Sequence, residues 1–137
     1  MGFEVYLQCY RDGKPAGIPR GPVRALFPIV EEESEPNYWS VHYGPADSCK
    51  IGVTPLASNH ELIESLCVYR PCGDLRMWEA LLSILKMGSV ILYFPGGESL
   101  LMASESAAAD LPKELVESMG PRCVHSAQEI LEIIHKA

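Results

Sequence analysis

The sequence predicts an α+β fold: a mainly antiparallel sheet with two longer helices, about 74–87 and 126–136, packed on it, plus short helices near 22–27 and 112–119. Three observations carry that expectation. Runs of alternating apolar and polar residues recur between turn-forming Gly, Pro and Asp. Only two stretches sustain helical spacing of apolar residues over several turns. Most of the links are hairpin-like, shorter than the crossovers parallel strands require. At 137 residues, 47% hydrophobic and 21% charged, the chain is sized for a single domain, 1–137, with its own core.

Taken in order, Phe3 to Tyr10 alternates Phe3, Val5, Leu7 and Cys9 against Glu4, Tyr6, Gln8 and Tyr10, the pattern of a half-buried strand. Asp12-Gly13 reads as a tight turn. Pro22 suits the start of a short helix carrying Val23, Leu26 and Phe27, and Pro28 ends it. Glu31 to Pro36 (EEESEP) reads as a solvated loop, because its carboxylates repel one another, and it lacks the glycine and ligand spacing of a calcium loop. Tyr38 to Tyr43 alternates again, with Trp39, Val41 and Tyr43 opposed to Tyr38, Ser40 and His42. Gly44-Pro45-Ala46 then turns the chain into a hairpin partner over Cys49 to Thr54. Leu56 to Arg70 is mixed: Ser58 and Glu61 have capping-box spacing, so a single helical turn is expected before a strand at roughly 63–70.

The stretch from Arg70 to Gly97 organises the rest. Leu75, Trp78, Leu82 and Leu85 recur at helical spacing beside Met77, Leu81 and Ile84, leaving Arg76, Glu79, Ser83 and Lys86 as a narrow polar stripe. Asp74 is placed to cap this helix and Gly88 to end it in the left-handed conformation. Val90 to Phe94 is apolar throughout, as in a strand covered on both faces, and Pro95-Gly96-Gly97 turns it toward an antiparallel partner at Leu100–Ala103. Ser106 to Asp110 is a small-residue link, Pro112 to Met119 a short helix, and Arg122 to His125 a brief extended piece. Ser126 and Glu129 form a capping box for the last helix, whose apolar face is Ile130, Leu131, Ile133 and Ile134.

Chemistry-bearing motifs are sparse. Five cysteines, Cys9, Cys49, Cys67, Cys72 and Cys123, are an odd number without a C-x-x-C pair, which suits free thiols better than disulfides or a zinc finger. The histidines His42, His60, His125 and His135 show no ligand spacing, Gly97–Leu101 lacks the second glycine of a nucleophile elbow, and no phosphate loop follows the paired glycines. Neither a catalytic residue nor a metal or other cofactor is therefore expected. The net charge of −7 is concentrated in residues 31–66, which carry −6, so nucleic acid is an unfavourable partner and a basic protein a favourable one. A signal peptide and a membrane-length apolar run are both missing from the sequence, and a cytoplasmic protein is expected.

Through Arg70-Pro71, Arg76-Met77-Trp78 and Tyr93-Phe94-Pro95, the chain resembles a group of small, poorly characterised bacterial single-domain proteins associated with toxin immunity and interbacterial competition. The likeness runs from the Glu4–Tyr10 strand to Leu111-Pro112. It implies a protein that acts by binding, without a cofactor, and it transfers no functional residue. Three functional readings follow. The first is a non-catalytic binding protein, possibly an immunity-type inhibitor, contacting a partner through Glu31, Glu32, Glu33 and Glu35 with Trp39 and Tyr43. The second is a small enzyme or ligand-binding module with Arg70, Arg76, His42 and a cysteine converging on a pocket. The third is a homo-oligomeric structural subunit marked by an exposed strand edge or apolar patch.

Overall fold

The computed structural model describes residues 4–34 and 37–136. Its strands are β1 Glu4–Arg11, β2 Lys14–Pro15, β3 Ile18–Pro19, β4 Ile29–Ser34, β5 Asn37–Gly44, β6 Asp47–Leu56, β7 Asn59–Tyr69, β8 Val90–Tyr93, β9 Ser99–Met102 and β10 Gly120–Cys123. The α-helices are α1 Arg20–Arg24, α2 Leu75–Leu85, α3 Lys113–Ser118 and α4 Ala127–Lys136, and a 3₁₀ helix covers Glu105–Asp110. The expected α+β architecture is what forms. One sheet runs β10-β9-β8-β1-β7-β6-β5-β4, with β2 joined to β1 and β3 to β7. All its pairs are antiparallel except β9 with β10.

Strand alternation separates two faces. On one, Val5 and Leu7 of β1 join Trp39 and Val41 of β5, Ile51 and Val53 of β6, Leu66 and Val68 of β7, and Leu92 of β8. Met77, Trp78, Leu81 and Ile84 of α2, Ile130 and Ile134 of α4, and Val23 of α1 close over this face to make the main core. At the β8–β9 end, a smaller core forms on the opposite face from Ile91, Leu100, Met102, Ala107 and Leu111, covered by the 3₁₀ helix and α3. The unbroken apolar run of β8 is thereby explained, since Leu92 and Ile91 are both fully buried, one in each core.

Local signals account for most of the elements. Asp12 and Gly13 both take positive φ, 52° and 76°, as a two-residue hairpin turn demands, and Gly adopts that conformation without a side-chain clash. Asp74 caps α2 by accepting from the Arg76 amide at 2.9 Å. Ser126 accepts from the Glu129 amide at 3.1 Å, and Glu129 accepts in return from the His125 amide at 2.7 Å, one residue earlier than in the standard capping box. Asp110 ties distant segments together. It accepts from the Asp12 amide at 3.1 Å and the Ser89 hydroxyl at 2.5 Å, and its carbonyl accepts from the Gly13 amide at 2.9 Å.

Several expectations need correction. The acidic run is not a loop: Ile29–Ser34 is the edge strand β4, paired with β5 through a register shift between Ile29 and Glu31. Exposed charges on an edge strand are compatible with pairing and discourage a second chain from adding to the sheet. No helical turn precedes the second half of β7, which is extended from Asn59 onward. The Asn59 side chain accepts from the Glu61 amide at 3.0 Å, so the Ser58–Glu61 capping box goes unused. The helix near 22–27 is instead Arg20–Arg24, with Pro22 inside its first turn, where a missing amide does no harm. The link at 106–110 is 3₁₀ helix, and β10 begins at Gly120. Leu75 is 41% exposed at the start of α2 and does not reach the core. Gly88 does not take the left-handed conformation; α2 closes through bonds from the Lys86 and Met87 amides to Leu82, Ser83 and Ile84.

Candidate functional site

The described helices leave uncovered the face of β1, β7, β6 and β5 that points away from α2 and α4. Alternation brings to it Tyr6 from β1, Tyr38, Ser40 and His42 from β5, Lys50, Gly52 and Thr54 from β6, and Cys67 and Tyr69 from β7. Tyr93 joins them from β8, directly opposite Tyr6. The Tyr6 and Tyr93 rings stack at 5.3 Å with an interplanar angle of 18°. Tyr38 and Tyr69 meet edge to face at 5.7 Å and 82°. The Tyr38 and Tyr69 rings meet over Gly52, where an added Cβ would lie 3.1 Å from Tyr38 Cε1 and from Tyr69 Cε2, and Cys67 separates Gly52 from Tyr6 across the sheet. The result is a depression of about 310 Å³ lined by the four rings, Gly52 and Cys67. A second, about 460 Å³, shares Tyr38 and Tyr69 and extends to His42, Lys50 and Arg70.

The face offers apolar ring surface with phenolic donors and acceptors, and a basic end. Tyr69 is pushed well above the ordinary phenol range, first by its hydrogen-bonding neighbour Tyr38 and then by desolvation, while Tyr93 is raised chiefly by burial. Both phenols are therefore neutral near pH 7. Desolvation likewise raises the Cys67 thiol, which leaves it a poor nucleophile. Lys50 Nζ lies 5.9 Å from the Tyr38 ring centroid, a cation–π distance. Arg70 takes φ of 50°, a left-handed conformation that costs an L-residue about 1 kcal/mol or more, immediately before Pro71 and at the rim of the second depression.

The expected site residues are dispersed. Glu31 is exposed on the β4 edge. Glu32 faces the helix side, opposite Trp39, and pairs with Arg24 of α1 at 2.9 Å, which holds its carboxyl below the usual range. Glu33 pairs through its backbone with Tyr38, and Glu35 lies outside the described residues. Trp39 is fully buried and cannot supply contact area to a partner. It packs against Phe27, with the Arg20 guanidinium 5.8 Å from its ring. Tyr43 is half-buried on the helix side, under the Arg76 guanidinium at 5.3 Å. The convergence of Arg70, Arg76, His42 and a cysteine is realised only in part. His42 and Arg70 border the second depression, whereas the Cys49 side chain points into the main core on the helix side, and Arg76 is held on that side by Asp74, at 2.8 and 3.0 Å, and by the Tyr43 carbonyl at 2.9 Å.

Reasoning from sequence passed over Tyr6, Tyr38, Tyr69, Tyr93 and Gly52. A signal existed for two of them, since strand alternation already set Tyr6 and Tyr38 on the polar sides of their strands. Tyr69 and Tyr93 gave none, because each ends a β-rich run that reads as core. Among the described residues no cluster of three His, Cys, Asp or Glu could hold a metal ion, and no helix is long and apolar enough to cross a membrane. Comparison with protein-family models finds no match to this chain. Neither the curated proteins nor the solved structures yield a significant match.

Proposed function

We propose that this chain is a non-catalytic binding protein that presents the tyrosine-lined sheet face to a protein partner. The observation that carries the reading is the pairing of Tyr6 with Tyr93 and of Tyr38 with Tyr69 across Gly52 on a face no described helix covers. Tyrosine side chains supply large, stiff, amphipathic contact area, and rings gathered round a depression are the usual makings of a binding hot spot. Glu31 lies on the adjacent edge strand, where a negative potential accelerates encounter with a basic partner. Occlusion of a partner's working surface, as an immunity-type inhibitor achieves, needs nothing beyond such a face.

A second reading, a small-ligand module, is favoured by the depression that gathers His42, Lys50 and Arg70, where an anionic group would find several donors. The test uses the chain as immobilised bait beside two variants, Tyr38→Ala/Tyr93→Ala on the face and Glu79→Ala on the polar stripe of α2. A protein retained by wild type and by Glu79→Ala but lost from the tyrosine variant supports the first reading. Equal retention by all three removes the face from the interface. Chemical-shift changes confined to His42, Lys50 and Arg70 on adding small phosphate or carboxylate compounds would favour the second.

A further inference from the structure

Away from that face, on the helix side of the sheet, three sulfur side chains converge from three elements. Cys49 comes from β6, Met77 from the first turn of α2, and Cys72 from the segment that joins β7 to α2. Met77 Sδ lies 3.7 Å from Cys49 Sγ and 3.8 Å from Cys72 Sγ. Cys49 and Met77 are buried, while Cys72 is half-buried and leaves a route in from solvent. Tyr43 neighbours both thiols, and its hydroxyl is enclosed with no hydrogen-bond partner.

We propose that Cys49, Cys72 and Met77 form a binding site for a soft monovalent d¹⁰ metal ion, Cu(I), with Ag(I) as its redox-inert analogue. Two thiolates and a thioether are the ligand set such ions select, whereas zinc wants four ligands and magnesium or calcium want oxygen. The spacing agrees. Metal–sulfur bonds of about 2.3 Å in a trigonal plane hold the sulfurs roughly 4 Å apart, so the two edges from Met77 to the cysteines need to open by only a few tenths of an ångström. Packing of small hydrophobic thiols accounts for the burial but leaves the Tyr43 hydroxyl unexplained. A buried donor without an acceptor is costly, and the negative charge of a loaded thiolate site nearby would offer the Tyr43 O–H dipole a group to point toward. Arg76, over the Tyr43 ring, is the near cation that offsets the single negative charge of the loaded site.

On binding, the two S–H bonds break, two S–metal bonds form, the thioether donates a lone pair, and two protons pass to solvent. The ion enters and remains monovalent, so no electron is transferred. Sequence spacing gave no hint of the set, because residues 49, 72 and 77 form no short motif.

The test titrates the reduced chain anaerobically with Cu(I) against a chromophoric Cu(I) chelator, and with Ag(I) under native mass spectrometry. One ion per chain is expected, with affinity falling at least 100-fold in Cys49→Ser and in Cys72→Ser and about tenfold in Met77→Leu. Cys67→Ser/Cys123→Ser should bind as wild type does, and X-ray absorption should show sulfur alone in the first shell. Fluorescence of the buried tryptophans establishes that each variant is folded, and the volume-conserving Met77→Leu keeps the test usable if a serine variant is not. Undiminished binding by Cys49→Ser or Cys72→Ser, loss in the Cys67/Cys123 variant, or no more binding by wild type than by the Cys49/Cys72 double variant would overturn the site.

Discussion

Filling the floor of the tyrosine face at Gly52 separates that face from the core energetically. Gly52 lies mid-strand in β6, opposite Tyr38 on one side and Cys67 on the other. In Gly52→Val the Cβ arrives 3.1 Å from ring carbons of Tyr38 and Tyr69 and 3.4 Å from the Tyr69 hydroxyl, and two methyls follow it. Were the rings locked, overpacking of this kind would cost about 1–3 kcal/mol. They are not enclosed: Tyr69 is 37% exposed and can swing into solvent. What is lost is the edge-to-face contact, about 0.5–1.5 kcal/mol, against which valine gains up to about 1 kcal/mol over glycine in a strand. The expected net change is about 1 kcal/mol or less in either direction. Urea unfolding followed by fluorescence of Trp39 and Trp78, 0% and 2% exposed, reports the main core directly. Partner binding should fall at least tenfold, because the Tyr38 and Tyr69 rings are pushed from the wall of the depression. A loss above 3 kcal/mol would refute the reasoning by showing that the rings are part of the packed interior. A folded variant that binds its partner as wild type does would refute the role of the face.

Other substitutions test the remaining structure. Leu82→Ala, on the buried side of α2, should cost about 2–5 kcal/mol in the same unfolding assay, and a loss below 0.5 kcal/mol would show that α2 does not pack as described. Arg70→Gly should raise stability by about 1 kcal/mol, since glycine adopts the left-handed conformation freely, whereas Arg70→Ala should not; equal effects would place the strain elsewhere. The Asp74 and Asp110 carboxyls are held below the usual range, chiefly by Arg76 and by the Ser89 hydroxyl respectively, so their folded pKa values lie below the unfolded ones. Their contribution is complete above the unfolded pKa, near 4, and is lost as pH falls through the folded values. Asp110→Asn should therefore flatten the dependence of the urea midpoint on pH below about 4, and an unchanged acid limb would dismiss that linkage. Replacing Glu31, Glu32, Glu33 and Glu35 by Gln should shift stability by only about 0.5 kcal/mol, the Arg24–Glu32 pair being exposed, yet slow association with a basic partner at low salt. Identical rates and salt slopes would take the acidic edge out of the encounter.

Much of the fold was legible because period-2 and period-3.6 patterns are local: β1, β5, β8, α2 and α4 each announce themselves within their own residues. Where reading failed, a distant neighbour made the decision. The acidic run of β4 has the composition of a loop but is held extended by pairing with β5, whose Trp39 and Tyr38 stand opposite Glu32 and Glu33. The first residues of β7 carry a helix signal that pairing with β6 and β3 overrides. The candidate site was less legible still. Its four rings come from β1, β5, β7 and β8, and only the strand order brings Tyr93 beside Tyr6 and Tyr69 beside Tyr38. Trp39 looked like a contact residue because aromatics in alternating strands can lie on either face, and which face α1 and α2 would cover is not written in β5 itself.

The position of β1 between β7 and β8 bears on how the sheet is held together. Val5 pairs with Val68 and Leu7 with both Leu66 and Leu92, so the long edges of β1 are filled only by strands distant in sequence, β7 on one side and β8 on the other. Strands β4 to β7 pair each with the next and close as a meander of local contacts. Without β1, only β3 lies along that edge of β7, and β8 and β9 have no attachment to the meander through the sheet. Residues 4–11 are the keystone that joins the two parts of the sheet and completes the tyrosine face, since Tyr6 meets Tyr93 only across that seam.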